Sequence, residues 1–374
     1  MSSNLPRITG YRTIALKRGH GSNVTSSTNT DTLIEVQTDA GLVGWGSSYT
    51  SKDLVDAALA LLREQIIGEV AIEPERVSEK LHQRTYWTGR GGSITHAISG
   101  LDIALWDLLG KFTGQPVGRL LGGRYRESIK PYGSLIFAEP GLLRERLLAA
   151  KERGFRAFKL GWGPFGRQSD SYDELLVKTA RETVGEDCEI MVDPGGSAQF
   201  WPHGLKWALR AADMLANYGV VWFEEALPPD DIEGFRELRR QARVLISSCE
   251  VLTRRQAFRP WIESGAVDIV QPDVTKVGGL SEARRIAWLA HEHNILTVPH
   301  GFNTAIGVAA DLQFVSALPN ARWIEYITPS PLIENILTTP FVLNAEGMLA
   351  IPDGPGLGIE LSPAGLQEQS VAEG

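Results

Sequence analysis

Apolar and polar positions alternate along residues 32–46 (TLIEVQTDAGLVGWG), with Asp39, Ala40 and Gly41 placed to turn the chain. A period of two predicts antiparallel strands. The period then lengthens: segments 54–62, 74–81 and 93–112 space their apolar residues as helices do. The last carries Ile98, Leu101, Leu105 and Leu108 on one stripe. Together these pieces predict an α+β unit over residues 1–125.

Beyond it, short apolar runs recur between amphipathic stretches. Candidate strands fall at 131–137, 157–161, 189–193, 221–225, 244–250, 267–273, 295–300 and 322–326, with helices such as 281–293 between them. Alternation of this kind predicts parallel strands joined by crossover helices, and eight strands at intervals of roughly 25 residues suit a TIM barrel. An open doubly wound sheet is the alternative. Closure is favoured because no GxGxxG follows the first strand and polar residues end strand after strand. The expected fold class is α/β, with the barrel over 126–345. Residues 346–374, through IPDGPGLGIEL, are expected to form a loop and a final edge strand returning to the N-terminal unit.

Composition narrows the partners. A chain of 374 residues with a formal charge of −8, its acids and bases interspersed, offers no surface made for nucleic acid or membrane. A small-molecule substrate is expected instead. Cys188 and Cys249 are too few for a disulfide framework and form no CxxC pair, which suits a reducing cytoplasm. The N-terminal residues lack a basic segment followed by an apolar core, and no apolar run approaches about 18 residues, so neither secretion nor membrane insertion is expected.

In a closed barrel the C-terminal strand ends meet at one mouth, so residues far apart in sequence become neighbours. Asp193, the Glu224–Glu225 pair and Glu250 end three consecutive candidate strands. Carboxylates converging in a dry cavity repel one another unless a cation neutralises them, and an all-oxygen donor set suits Mg²⁺. Strand alternation lets one of the two adjacent glutamates face inward. Glu224 is taken as the ligand and Glu225 as a group that orients a neighbour.

The next two strands end with Asp273 and His300, a carboxylate and an imidazole placed to form a general-base pair. Lys159 enters the ring from the second strand and Glu325 from the eighth. They read either as a partner of the substrate carboxylate and a hydrogen-bonding acid, or as a buried ion pair and a surface charge. Lys276 packs beside the ligands or serves structure alone. The polar segment KRGHGSNVTSSTNT, with Arg18, His20 and Asn23, suits a polyhydroxylated acid. Trp87 and Arg90 of YWTGRGG and Asn303 of VPHGFN are further candidates for substrate contact.

The segments ISGLDIALWDLLGK, MVDPGG, WFEEA, SSCE, QPDVTKVGG, VPHG, WIEY and PDGPGLGIEL, in this order, resemble the mandelate racemase-like subgroup of the enolase superfamily across nearly the whole chain. The resemblance implies a modified (β/α)7β barrel, capped by the N-terminal unit and the C-terminal tail. It implies Mg²⁺ held by Asp193, Glu224 and Glu250, an enediolate made by α-proton abstraction, a His300–Asp273 base dyad, and Glu325 as the acid beside the enolate. A homo-oligomer, dimer to octamer, is implied in the same way.

Two positions depart from the family pattern. The second lysine of a strand-two Lys-x-Lys is Gly161, which argues against two-base racemisation, and Gly195 stands where asparagine is frequent. A one-base enzyme acting on an acid sugar is expected to be a dehydratase, a hydro-lyase that expels a β-hydroxyl to give a 2-keto-3-deoxy acid. The alternatives are a sugar-lactone cycloisomerase or epimerase using the same enediolate chemistry, and a catalytically retired barrel serving as a scaffold.

Overall fold

The computed structural model describes residues 5–17, 31–195 and 203–371. Near the N-terminus, β1 (Ile8–Ala15), β2 (Asp31–Thr38) and β3 (Val43–Tyr49) form an antiparallel sheet in that order. The chain turns between β2 and β3 where the alternation breaks, with Gly41 in the left-handed region at φ 73°. Three helices follow: α1 (Lys52–Ile66), α2 (Pro74–Arg84) and α3 (Ser93–Thr113).

All four residues of the predicted α3 stripe are buried. Close approach of α3 to the sheet depends on two glycines. A Cβ at Gly46 would lie 1.8 Å from the carbonyl oxygen of Gly100, and one at Gly100 would lie 2.7 Å from Ile34 Cδ1. The helix ends at Gly114, which takes the left-handed cap conformation at φ 66°.

The second body is a curled parallel sheet of β4 (Ser128–Ile136), β5 (Ala157–Gly161), β6 (Glu189–Asp193), β7 (Trp222–Glu224), β8 (Leu245–Ser248), β9 (Ile269–Val270), β10 (Leu296–Thr297) and β11 (Trp323–Ile327). Neighbours pair in sequence order from β4 to β10, and the eighth strand, β11, pairs with the first, β4. A helix follows each of the first seven strands, whereas β11 is followed only by the short turn of helix Pro331–Glu334. This is a modified TIM barrel, with the three-stranded unit as its capping subdomain.

The open-sheet alternative is thereby excluded. Apolar runs marked the strands well but overstated two ladders: of 267–273 and 295–300, only Ile269–Val270 and Leu296–Thr297 pair. Residues 271–273 and 298–300 are buried past the ladder, where they turn into the mouth. Burial, not pairing, makes a run apolar.

A second expectation is corrected. The final strand β12 (Leu349–Ala350) pairs antiparallel with β4, not with the N-terminal unit, and the return to that unit is made by loop backbone. Gly356 bridges Pro116, Leu357 N–H donates to Asp107 Oδ1 at 2.9 Å, and Ser370 bridges Leu16.

Cap and barrel are joined through α3 and the helix Gly279–Glu292. The Asp102 carboxylate accepts from Ser281 N–H (3.0 Å) and Ser281 Oγ (2.5 Å), Trp106 Nε1 donates to the same hydroxyl (3.0 Å), and Ser99 Oγ accepts from Gly278 N–H (2.8 Å). Burial pushes the Asp102 carboxyl up to about 7 even though both Ser281 groups favour its charge. No helix among the described residues is long and apolar enough to cross a membrane.

Because α3 meets β3 backbone to backbone, Gly46→Ala is expected to destabilise the protein by about 2 kcal/mol through overpacking. A thermal or urea unfolding midpoint unchanged from the wild type would show that the two elements can separate freely.

Candidate active site

The barrel brings strand ends together at one mouth. Asp193 ends β6, Glu224 ends β7, and Glu250 lies two residues past β8; one carboxylate oxygen from each lies within 4.8 Å of the others, and all three residues are buried. Lys159, the middle residue of β5, reaches into the same space. Its Nζ is 2.5 Å from Glu224 Oε1, 3.1 Å from Glu325 Oε1 and 3.4 Å from Asp193 Oδ2.

The second oxygen of Glu224 accepts from Trp222 Nε1 at 2.9 Å and Gln271 Nε2 at 2.7 Å, so the carboxylate is held in one orientation. Asp193 Oδ1 accepts from Gly195 N–H at 2.8 Å.

Charge in this cavity is unbalanced. Burial, and then the neighbouring Glu224 and Glu250, push the Asp193 carboxyl well up against the opposing pull of Lys159. Burial alone would lower the Lys159 ammonium, but Glu224, Glu325 and Asp193 raise it well above its ordinary value, so it is charged. One ammonium does not neutralise Asp193, Glu224, Glu250 and Glu325 together. Three oxygen donors at this spacing, with no sulfur or nitrogen among them, could hold a hard divalent cation and suit magnesium.

Glu225 is the other member of the glutamate pair. It sits at φ 43° just past β7, buried, with Oε1 lacking a hydrogen-bond partner, while its N–H donates to the Ser247 carbonyl at 3.0 Å. Its carboxyl is pushed well up by burial and by Glu250 and Asp193.

Across the mouth, His300 Nδ1 lies 2.7 Å from Asp273 Oδ2. Asp273 Oδ1 accepts from Thr275 N–H (2.7 Å) and Thr275 Oγ1 (2.6 Å), and Lys276 Nζ stands 3.6 Å from Oδ2. Burial opposes ionisation of Asp273, but Lys276, His300 and Thr275 together hold it well below the usual carboxylate range. An ionised Asp273 selects the tautomer with the proton on Nδ1, leaving Nε2 free to accept. That nitrogen is 3.4 Å from Glu250 Oε2 and so faces the carboxylate cluster. Burial would lower the imidazole, but Glu250, Asp273 and Glu325 outweigh it and leave the pKa raised. Glu325 Oε2 accepts from Gly301 N–H at 2.8 Å; Lys159 and His300 overcome its burial and hold it at about 2.

Arg18, His20 and Asn23 lie outside the described residues. Trp87 is 91% exposed, and Arg90 lies 5.0 Å over the ring of Tyr86. Their loop touches the barrel after β8, where a Cβ at Gly91 would lie 2.7 Å from Thr253 Oγ1. Asn303 is buried, with its side chain packed against Gly307.

Sequence reasoning missed several participants. Gln271 and Thr275 stand in QPDVTKVGG and Trp222 in WFEEA, each two positions from a strand-end acid, and a hydrogen-bonding side chain at that spacing is a usable signal. Tyr49, from the capping sheet, places its ring edge-on to His300 with centroids 6.5 Å apart and 4.2 Å below Lys276 Nζ. Nothing local to Tyr49 announced that position.

The chain matches the family description "Enolase C-terminal domain-like" over residues 142–365 and "Mandelate racemase / muconate lactonizing enzyme, N-terminal domain" over 14–122. It is 32% identical over 352 residues to the D-galactarolactone cycloisomerase of Agrobacterium fabrum, covering 90% of each chain. The crystal structure of the 3,6-anhydro-D-galactonate cycloisomerase from Zobellia galactanivorans superimposes with a TM-score of 0.88 at 28% identity, covering 98% of this chain and 100% of that one. A mandelate racemase/muconate lactonizing enzyme-like protein from Rubrobacter xylanophilus gives 0.88 at 30% identity over 99% of both chains.

These relatives overturn the lyase expectation. The two whose names state a reaction are cycloisomerases, not dehydratases. The error has a physical source: the expectation read from the strand-end residues reaches only as far as removal of an α-proton, a step that dehydration and ring opening share, and no residue of those motifs states which C–O bond breaks next. What the strand ends do carry is membership, and the chain belongs to the enolase superfamily, in its mandelate racemase/muconate lactonizing enzyme-like subgroup.

Proposed function

We propose that this chain is a divalent-metal-dependent isomerase that opens the ring of a small sugar-acid lactone or anhydro sugar acid. The observation that carries the reading is the aim of His300: its free Nε2 faces Glu250 at 3.4 Å, so a substrate carboxylate seated among Asp193, Glu224 and Glu250 presents its α-carbon to a base. Cycloisomerases among its relatives support the choice of reaction.

Nε2 takes the α-proton, and the electron pair of the broken C–H bond moves toward the carboxylate. Asp273 stabilises the imidazolium that forms, and Thr275 keeps the carboxylate aimed. The pair then makes a double bond to the β-carbon as the ring C–O bond breaks. The ring oxygen leaves with the bonding electrons: from an ether it takes the proton back from the His300 imidazolium and becomes a hydroxyl, and from a lactone it leaves as carboxylate while the imidazolium returns its proton to solvent. The enol proton finally moves to the β-carbon, giving a 2-keto-3-deoxy acid. Counted as the free acid, the product has the composition of the substrate, with no water lost, which is why ring opening is an isomerisation.

A divalent cation held by Asp193, Glu224 and Glu250 would supply the positive charge that lets a second negative charge gather on the substrate carboxylate. Lys159, charged and pinned by its carboxylates, adds to that field. Glu325, held ionised at about 2, can only accept, and so orients a substrate hydroxyl. Gly161 leaves the opposite face without a second base, in keeping with a reaction that needs one.

In heavy water with magnesium, the wild type is expected to exchange the α-proton of a converted lactone. His300→Asn should slow exchange on the order of 1,000-fold while magnesium still raises the unfolding temperature. Exchange that survives the substitution removes His300 from its role. Chelation should abolish activity and magnesium restore it, and Asp193→Asn should weaken the thermal shift that magnesium produces.

The base works deprotonated, so kcat/KM should fall as pH drops through the His300 pKa, which Glu250 and Asp273 raise and which a cation held by Glu250 would bring back down. Asp273→Asn removes a charge that raises this pKa and should move the acid limb to lower pH, along with a lower plateau. Product analysis separates the reaction types. An open-chain keto acid isomeric with the lactone is expected; turnover confined to open-chain acids, with loss of water, would refute ring opening.

A further inference from the structure

Of the two departures from the family pattern, Gly195 lies against one side chain, that of Trp162, and Gly161 directly precedes it in the chain. Trp162 follows β5 directly, and its N–H donates to the Asp193 carbonyl at 2.7 Å, extending the contact between the strands by one residue. Its φ is 54°, a left-handed conformation that bulky residues rarely adopt and that is strained. The indole lies over Gly195: a Cβ there would stand 2.6 Å from Trp162 Cδ2 and 2.7 Å from Cε2. The ring therefore fills the space that any side chain at 195 would need. A Cβ at Gly161 would be 3.3 Å from Asp193 Oδ2. The turn itself is fixed by Gly163, where a Cβ would fall 2.3 Å from the Phe137 carbonyl oxygen. The result is a half-buried indole held against the backbone two residues past Asp193, at the mouth.

We infer that Trp162 is a specificity-determining residue whose indole forms a wall for the C–H face of a five-membered sugar-acid ring. The inference rests on the ring-opening reading. A lactone or anhydro ring presents a flat face of C–H bonds that an aromatic ring accepts through its negative π-face; an open-chain polyol presents hydroxyls along its length and has no such face. A side chain held in a strained backbone beside a carboxylate cluster is pre-organised for contact and loses little freedom when a ring stacks on it. The glycine at 195 makes room for the indole, and the glycine at 161 leaves the neighbouring floor of the mouth free of a lysine.

Equilibrium binding tests this apart from turnover. The His300→Asn variant, loaded with magnesium, is titrated calorimetrically with an aldarolactone and a 3,6-anhydroaldonate. The open-chain acids of the same configuration serve as controls. The ring probes are expected to bind about five- to tenfold more tightly than the controls. Adding Trp162→Ala should erase the preference, Trp162→Phe should keep most of it, and magnesium affinity should stay unchanged in both. A preference equal in the alanine variant, or none in the parent, overturns the inference. Ring acids that bind with a Trp162-dependent preference but are never converted by the wild type would sink the ring-opening reading and leave the wall standing. Conversion without that preference would do the reverse.

Discussion

One buried ammonium among too many carboxylates is the constraint around which the mouth is built. Lys159 contacts Asp193, Glu224 and Glu325 at once, Glu250 lies beside Asp193 and Glu224, and all of these residues are buried. Such a cluster is expensive to desolvate and adds little net stability, so its persistence is better explained by what it can bind. The surrounding hydrogen bonds fix each carboxylate in place: Trp222 and Gln271 on Glu224, Gly195 on Asp193, Gly301 on Glu325. Preorganisation of this kind spares the protein from rearranging charges while the reaction proceeds.

The capping subdomain belongs to the same arrangement. Tyr49, the last residue of β3, stands beside His300 and under Lys276, and the Thr304 hydroxyl donates to Ser47 Oγ at 3.1 Å. These contacts need the cap to sit at one height over the barrel. Glycines that let α3 approach the sheet, and the Asp102–Ser281 and Trp106–Ser281 hydrogen bonds that dock α3 onto the barrel, set that height. The His300 environment is thus tied to packing in α3, a helix with no residue among the strand-end acids.

Much of this was legible along the chain, for identifiable reasons. Residues 157–161 and 189–193 read as strands at the bounds the structure gives them, because each is a short, largely apolar run stopped by a turn residue. Asp193 and Glu224 could be picked out because a polar residue ending such a run is conspicuous. Glu250, Asp273 and His300 were also found, although the ladders of β8, β9 and β10 stop short of them. The position of β12 was misjudged, since proline and glycine signal an edge but do not name the strand it joins.

The sequence by itself determined the periodicities, the strand count, the acids and the imidazole at strand ends, and through them the family, all of which are encoded in local order. Tertiary structure alone decided that Lys159 binds three carboxylates, that His300 Nε2 faces Glu250, that Tyr49 enters from another subdomain, and that Trp162 takes the space above Gly195. Those facts depend on distances between segments many residues apart, and closure of the barrel sets such distances without leaving a mark on either segment. The fate of the intermediate lies further out still, because it is decided by which C–O bond a substrate places beside the electron pair.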